Sequence, residues 1–120
     1  MKRKILVVLL LFGLTPAAFA FNLLFLRDSP VAQFTPEDTG LMVENFYYAM
    51  NENEDGEIAE WKNEDSGNFG SILPLNTTQE GDSKCRRVVI ENSARGLHAK
   101  SEYKFCKAPE GKWLVAQDGN

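Results

Sequence analysis

The spacing of hydrophobic positions changes character three times along the chain. Residues 5–26 are apolar or uncharged throughout. Leu41, Met42, Asn45, Phe46, Ala49 and Met50 then recur at helical spacing, one stripe of an amphipathic helix. From residue 57 the period falls to two, with Gly or polar clusters at short intervals, which predicts an antiparallel meander. The predicted strands are 57–62, 68–75, 84–92, 97–106 and 112–117. The expected fold class is α+β: one N-terminal helix packed on a four- to five-stranded antiparallel β-meander.

The helix carries its own start signals. Thr35 suits the N-cap, Pro36 the first helical position, and Asp38 stands three residues after Thr35 as in a capping box. Glu37 and Asp38 also complement the positive end of the helix dipole. Tyr47 and Tyr48 fall at the margins of the stripe. The run 51–56 ends the helix; as a calcium loop it fails, because Lys62 stands where the bidentate glutamate belongs. It reads instead as a solvated turn.

The N-terminus sets the compartment. Lys2, Arg3 and Lys4 precede the apolar run, followed by Pro16 and by Ala18-Phe19-Ala20, the order of a cleavable signal peptide over residues 1–20. An alternative stays open, since the 22 uncharged positions 5–26 are long enough for an uncleaved membrane anchor. Either reading exports the remainder to the periplasm or cell envelope, with membrane association possible through residues 5–26. Residues 21–34 then form a lead-in or tether, and residues 35–120 the folded domain. Without Lys2, Arg3 and Lys4 the basic residues fall from 13 to 10 against 17 acidic ones, a net charge of −7. Such a surface repels phosphate backbones, so nucleic-acid binding is not expected.

In an oxidising compartment the two cysteines, Cys85 and Cys106, are expected to form one disulfide. A two-residue turn at Arg95-Gly96 puts Cys85 opposite Cys106, Val88 opposite Tyr103 and Ile90 opposite Ser101. That register gathers Val88, Ile90, Leu97, Ala99, Tyr103 and Phe105 on one face, to meet the helix. Arg87, Glu91, Lys100, Glu102 and Lys104 share the other face with the cysteines, with Arg87 beside Lys104 and Glu91 beside Lys100, all facing water. The disulfide is therefore expected outside the core.

Candidate chemistry is sparse. His98 is the only histidine, lies on the polar strand face and has no positioned nucleophile, and the carboxylates cluster at turns with no apolar setting. No catalytic residue, metal site or cofactor is expected, and the chain reads as a non-enzyme. Trp61, Asn63, Asn68, Arg86 and Trp113 are singled out either as core and turn anchors or as a binding surface, since exposed Trp and Arg favour interfaces. Gly67 and Gly70 read as a turn or bulge entering the next strand, and Pro74 as marking an edge or the end of that strand.

Taken together, Trp61-Lys62-Asn63, Ser66-Gly67-Asn68-Phe69-Gly70, Cys85-Arg86, Cys106-Lys107 and Gly111-Lys112-Trp113 resemble the C-terminal domain of the bacterial 17-kilodalton surface antigen family, over about residues 39–115. The resemblance implies an envelope protein with a helix followed by an antiparallel sheet, and no catalytic residues to carry over. The chain departs from that family in having no cysteine near residue 20 for a lipid anchor and no glycine-rich segment before the domain. The expected function is a non-catalytic surface or periplasmic module, structural or protein-binding, with an unidentified envelope protein as partner. The alternative is a single-pass, membrane-tethered accessory subunit of a larger envelope complex.

Overall fold

The computed structural model describes residues 29–116. The signal or anchor segment and most of the 21–34 lead-in lie outside the described residues. A 3-10 turn, Pro30–Gln33, precedes helix α1, Pro36–Glu52, and five strands follow: β1 Ala59–Lys62, β2 Phe69–Glu80, β3 Ser83–Ala94, β4 Leu97–Lys107 and β5 Trp113–Val115. The strands form one antiparallel sheet in the order β1-β2-β3-β4-β5, the expected meander.

Helix α1 starts as its sequence predicts. The Thr35 hydroxyl accepts from the Asp38 N–H at 3.1 Å, and the Asp38 carboxylate accepts from the Thr35 N–H at 2.8 Å. Its apolar stripe covers the sheet. Ala49 and Met50 join Ala59, Ile72, Val88 and Trp113 in the core, with Phe46, Ile90 and Phe105 packed against it. Phe46 meets Phe105 edge-on, ring centroids 4.9 Å apart. Tyr47 and Tyr48 are exposed at the margins, as expected.

The β3–β4 hairpin has the register read from the sequence: Cys85 opposite Cys106, Val88 opposite Tyr103, Ile90 opposite Ser101. Arg95 and Gly96 both have positive φ, 52° and 84°, the conformation whose twist suits a two-residue hairpin. The disulfide forms, on the sheet face away from the helix. Closing a loop across 21 positions stabilises the fold by about 3 kcal/mol on the chain-entropy account. Cys85 is nevertheless buried, because it stands mid-row between Thr78 of β2 and Cys106 of β4.

Three details differ from the sequence reading. Strand β2 does not stop at Pro74 but continues to Glu80 through a register shift between Pro74 and Asn76. The Pro74 carbonyl accepts from the Gly56 N–H on the side that β1 has left open, so the missing Pro74 N–H faces no ladder partner. Charges on the outer face pair diagonally: Arg87 with Glu102 at 3.1 Å, Lys104 with Glu80 at 2.7 Å, and Glu91 with His98 instead of Lys100. The like charges Arg87 and Lys104, directly opposite, each take an acid from another row. The packed body also begins before Thr35, since Pro30 is fully buried and Phe34 stacks edge-on against Trp61 at 5.3 Å.

Candidate functional site

The residues singled out in the sequence sit at the two ends of α1 and face inward. Trp61, Asn63, Asn68, Arg86 and Trp113 are each no more than 6% exposed. They do not form a shared surface patch.

At the N-terminal end the organising group is Asp38, a residue with no exposed surface. One carboxylate oxygen accepts from Asn63 Nδ2 at 2.8 Å and Ser66 Oγ at 2.7 Å; the other accepts from the Thr35 N–H and from Asn68 Nδ2 at 2.7 Å. Asn63 and Asn68 thus reach the helix from the β1–β2 connection. Internal hydrogen bonds hold that connection in shape, since the Asn63 carbonyl and side chain accept from Gly67 N–H and Asp65 N–H, and Ser66 Oγ accepts from Asn68 N–H. Burial pushes the Asp38 pKa up, but the four hydrogen bonds, from Thr35, Asn68, Ser66 and Asn63, outweigh it and hold the carboxyl far below the usual aspartate range. The charge is permanent at neutral pH and fully ligated. It has no free lone pair to offer a substrate.

At the other end of α1, Arg86 extends from the helix-facing side of β3. Its guanidinium donates to the Ala49 and Met50 carbonyls at 3.2 and 2.8 Å, to Asp55 at 2.9 Å and to Thr77 Oγ1 at 2.8 Å. It gives the Met50 carbonyl at the helix end a donor and the Ala49 carbonyl a second one beside the Asn53 N–H, and its charge complements the negative end of the dipole. The Arg86 hydrogen bond, helped by Thr77, draws the Asp55 pKa below its ordinary value. The acidic run after the helix is therefore part of the packing. Trp113 Nε1 donates to Asn51 Oδ1 at 3.0 Å, Asn53 Nδ2 donates to the Glu57 carbonyl, and Asp55 takes Arg86.

Between these ends Gly70 pairs with Trp61 on one side and Asn92 on the other. It is neither a turn nor a bulge. A Cβ there would lie 2.5 Å from Asn92 Oδ1 and 2.6 Å from Trp61 Nε1, so the absent side chain is what lets the indole and the carboxamide close over the strand. Trp61 Nε1 and Asn92 Oδ1 are buried and make no hydrogen bond among the described residues.

The remaining chemistry lies apart. His98 is exposed on the outer face, with Nδ1 2.8 Å from Ser93 Oγ and Nε2 3.3 Å from Glu91. Glu80 lies near Cys85 and Cys106, but the two sulfurs are bonded to each other and supply no thiolate to a metal. A shallow cleft of about 640 Å³ lined by Gln33, Thr35, Glu37, Asp65 and Arg95 opens beside the Asp38 network. Among the described residues no helix is long and apolar enough to cross a membrane.

Three of these roles escape the sequence reading. Capping alone accounts for Asp38 on sequence grounds, which conceals its reach to residues 25 to 30 positions away. Arg86 and Asn92 do leave a signal: strand alternation puts both on the same face as Val88 and Ile90, where a polar side chain must find an internal partner.

Comparison with known proteins gives a distant relationship. The chain is 31% identical over 61 residues to the 17 kDa surface antigens of Rickettsia conorii, Rickettsia rickettsii and Rickettsia japonica. The match covers 50% of this chain and 38% of each relative. No family model matches the chain, and no solved structure matches it significantly.

Proposed function

We propose that the chain is a non-catalytic protein of the cell envelope or surface, whose folded domain is a rigid protein-binding module. The observation that carries this reading is the saturation of its polar residues. Asp38, Asn63, Asn68 and Arg86, which would form a catalytic or ligand-binding centre if they converged on a cavity, are consumed in fastening both ends of α1 to the sheet. Contact with a partner then falls to what the fold leaves outside: the sheet edges and exposed apolar side chains such as Tyr48, Ile58, Leu114 and Val115. The signal-like N-terminus, the disulfide and the similarity to rickettsial surface antigens support export. An acidic mature chain suits a protein partner better than a nucleic acid.

The test is crosslinking in intact cells, then fractionation and capture from the envelope. A discrete protein adduct in the envelope fraction is expected; a chain recovered in the cytosol with two free thiols would overturn the reading. The rival, a membrane-tethered subunit, is favoured by the uncharged stretch 5–26. Intact mass separates the two, since a chain starting at Phe21 has lost the tether and one retaining Met1 has kept it.

A further inference from the structure

Strand β4 leaves a free edge whose charges and open backbone groups together match only one partner register. β5 covers β4 from Phe105 to Lys107, and the Ala116 N–H reaches the Lys104 carbonyl at 2.8 Å. From Leu97 to Tyr103 no described strand lies on that side. Two observations fix which backbone groups point outward there. The Cα atoms of Cys85 and Cys106 are 4.0 Å apart, the close spacing of a pair that exchanges no hydrogen bonds, so Cys106 directs its N–H and C=O away from β3. The bond from Ala116 to Lys104 shows the same parity two residues earlier. By alternation, His98, Lys100 and Glu102 present their N–H and C=O groups to the open edge, and the described residues make no hydrogen bond to them.

We propose that two copies of the chain associate by antiparallel pairing of these β4 edges, with the two-fold axis at Ser101. In that register Lys100 of each copy stands opposite Glu102 of the other, as a hydrogen-bonded backbone pair. Both side chains lie on the outer face and are exposed. On the helix-facing side Tyr103, 41% exposed, stands opposite Ala99 of the other copy and covers it. The neighbouring registers of the same parity fail: an axis at Lys100 opposes lysine to lysine, and one at Glu102 opposes glutamate to glutamate while setting Lys100 against Lys104. Charged edges deter pairing with arbitrary strands, and here the same charges admit a second copy in one register. The contact is small, below about 1,200 Å² in total, which places it among weak, reversible associations. It stands independently of any foreign partner.

Sedimentation velocity of the exported chain from micromolar to millimolar concentration should show a monomer–dimer equilibrium. Glu102→Lys and Lys100→Glu, each placing like charges across the axis twice, should weaken it at least about tenfold, and the double exchange should restore it to within about threefold. Restoration also separates the interface from folding, because the doubly exchanged chain still lacks the native Arg87–Glu102 ion pair on the outer face. Hydrogen exchange on the unaltered chain supplies a second readout: the amides of Lys100 and Glu102 should exchange freely at high dilution and become protected as the dimer forms. A monomer at every concentration overturns the proposal, as does a dimer indifferent to the single exchanges. Protection of these two amides at high dilution also overturns it, since the chain's own residues would then occupy the edge.

Discussion

Replacing Asp38 by Asn tests the N-terminal network with almost no change of shape. Each carboxylate oxygen of Asp38 takes two donors, four bonds in all. An amide keeps one oxygen and turns an NH2 group toward the other two donors, so at least two bonds to a charged acceptor are lost. At about 1.5–3 kcal/mol each, the gross loss is about 3–6 kcal/mol. Removing the charge from the helix N-terminus adds about 0.5 kcal/mol, while reorientation of the Ser66 hydroxyl and the Asn68 amide recovers part. A net destabilisation of about 3–4 kcal/mol follows, a large share of the roughly 5–15 kcal/mol of a domain this size. The assay is urea unfolding at pH 7 followed by tryptophan emission, since Trp61 and Trp113 report on both ends of α1. With a slope of about 1.5 kcal/mol/M the midpoint should fall by about 2 M at unchanged slope. The pH dependence provides a second readout. Because the folded Asp38 pKa is depressed, its stabilisation is fully present above the ordinary carboxylate value near 4 and is lost as pH falls toward the folded value. The gap between the native chain and the variant should therefore narrow below about pH 4. A loss under about 1 kcal/mol, or a gap that does not change with pH, would refute the network's role.

Two further substitutions probe the other fastenings. Arg86→Met takes the donor from the Met50 carbonyl and one of two donors from the Ala49 carbonyl and from Asp55, and should cost about 3 kcal/mol in the same urea titration, with Arg86→Lys recovering little because an ammonium lacks the planar fork. Gly70→Ala drives a methyl group into Asn92 Oδ1, the Glu91 carbonyl and Trp61 Nε1, and a loss of about 1–3 kcal/mol with a shift in tryptophan emission is expected; unchanged stability would mean that the strand readily gives way there.

The legible part of this protein is local. Thr35, Pro36 and Asp38 specify a helix start within four residues, because capping joins neighbours in the chain. Arg95-Gly96 sets the β3–β4 register, which carries the cysteine pairing and the sorting of two faces with it, because alternation has a period of two whatever lies beyond the strand. The expected end of β2 at Pro74 fails for a non-local reason: a proline is tolerated wherever its missing N–H faces an open side, and whether β1 has already departed cannot be read from β2.

The candidate residues show the same division more sharply. Residue type alone leaves Trp61, Asn63, Asn68, Arg86 and Trp113 open between an interface and a core, since both use the same side chains. Folding resolves their positions by burying all five and pointing the polar ones at Asp38 and at the last carbonyls of α1. A buried carboxylate must collect donors wherever they lie in the sequence, and here three of the four come from 25 to 30 residues downstream. Elements, faces and the disulfide are therefore already written in the order of residues, through short-range geometry. The partners of the buried charges depend on which segments the closed chain brings together, a property of the packed molecule.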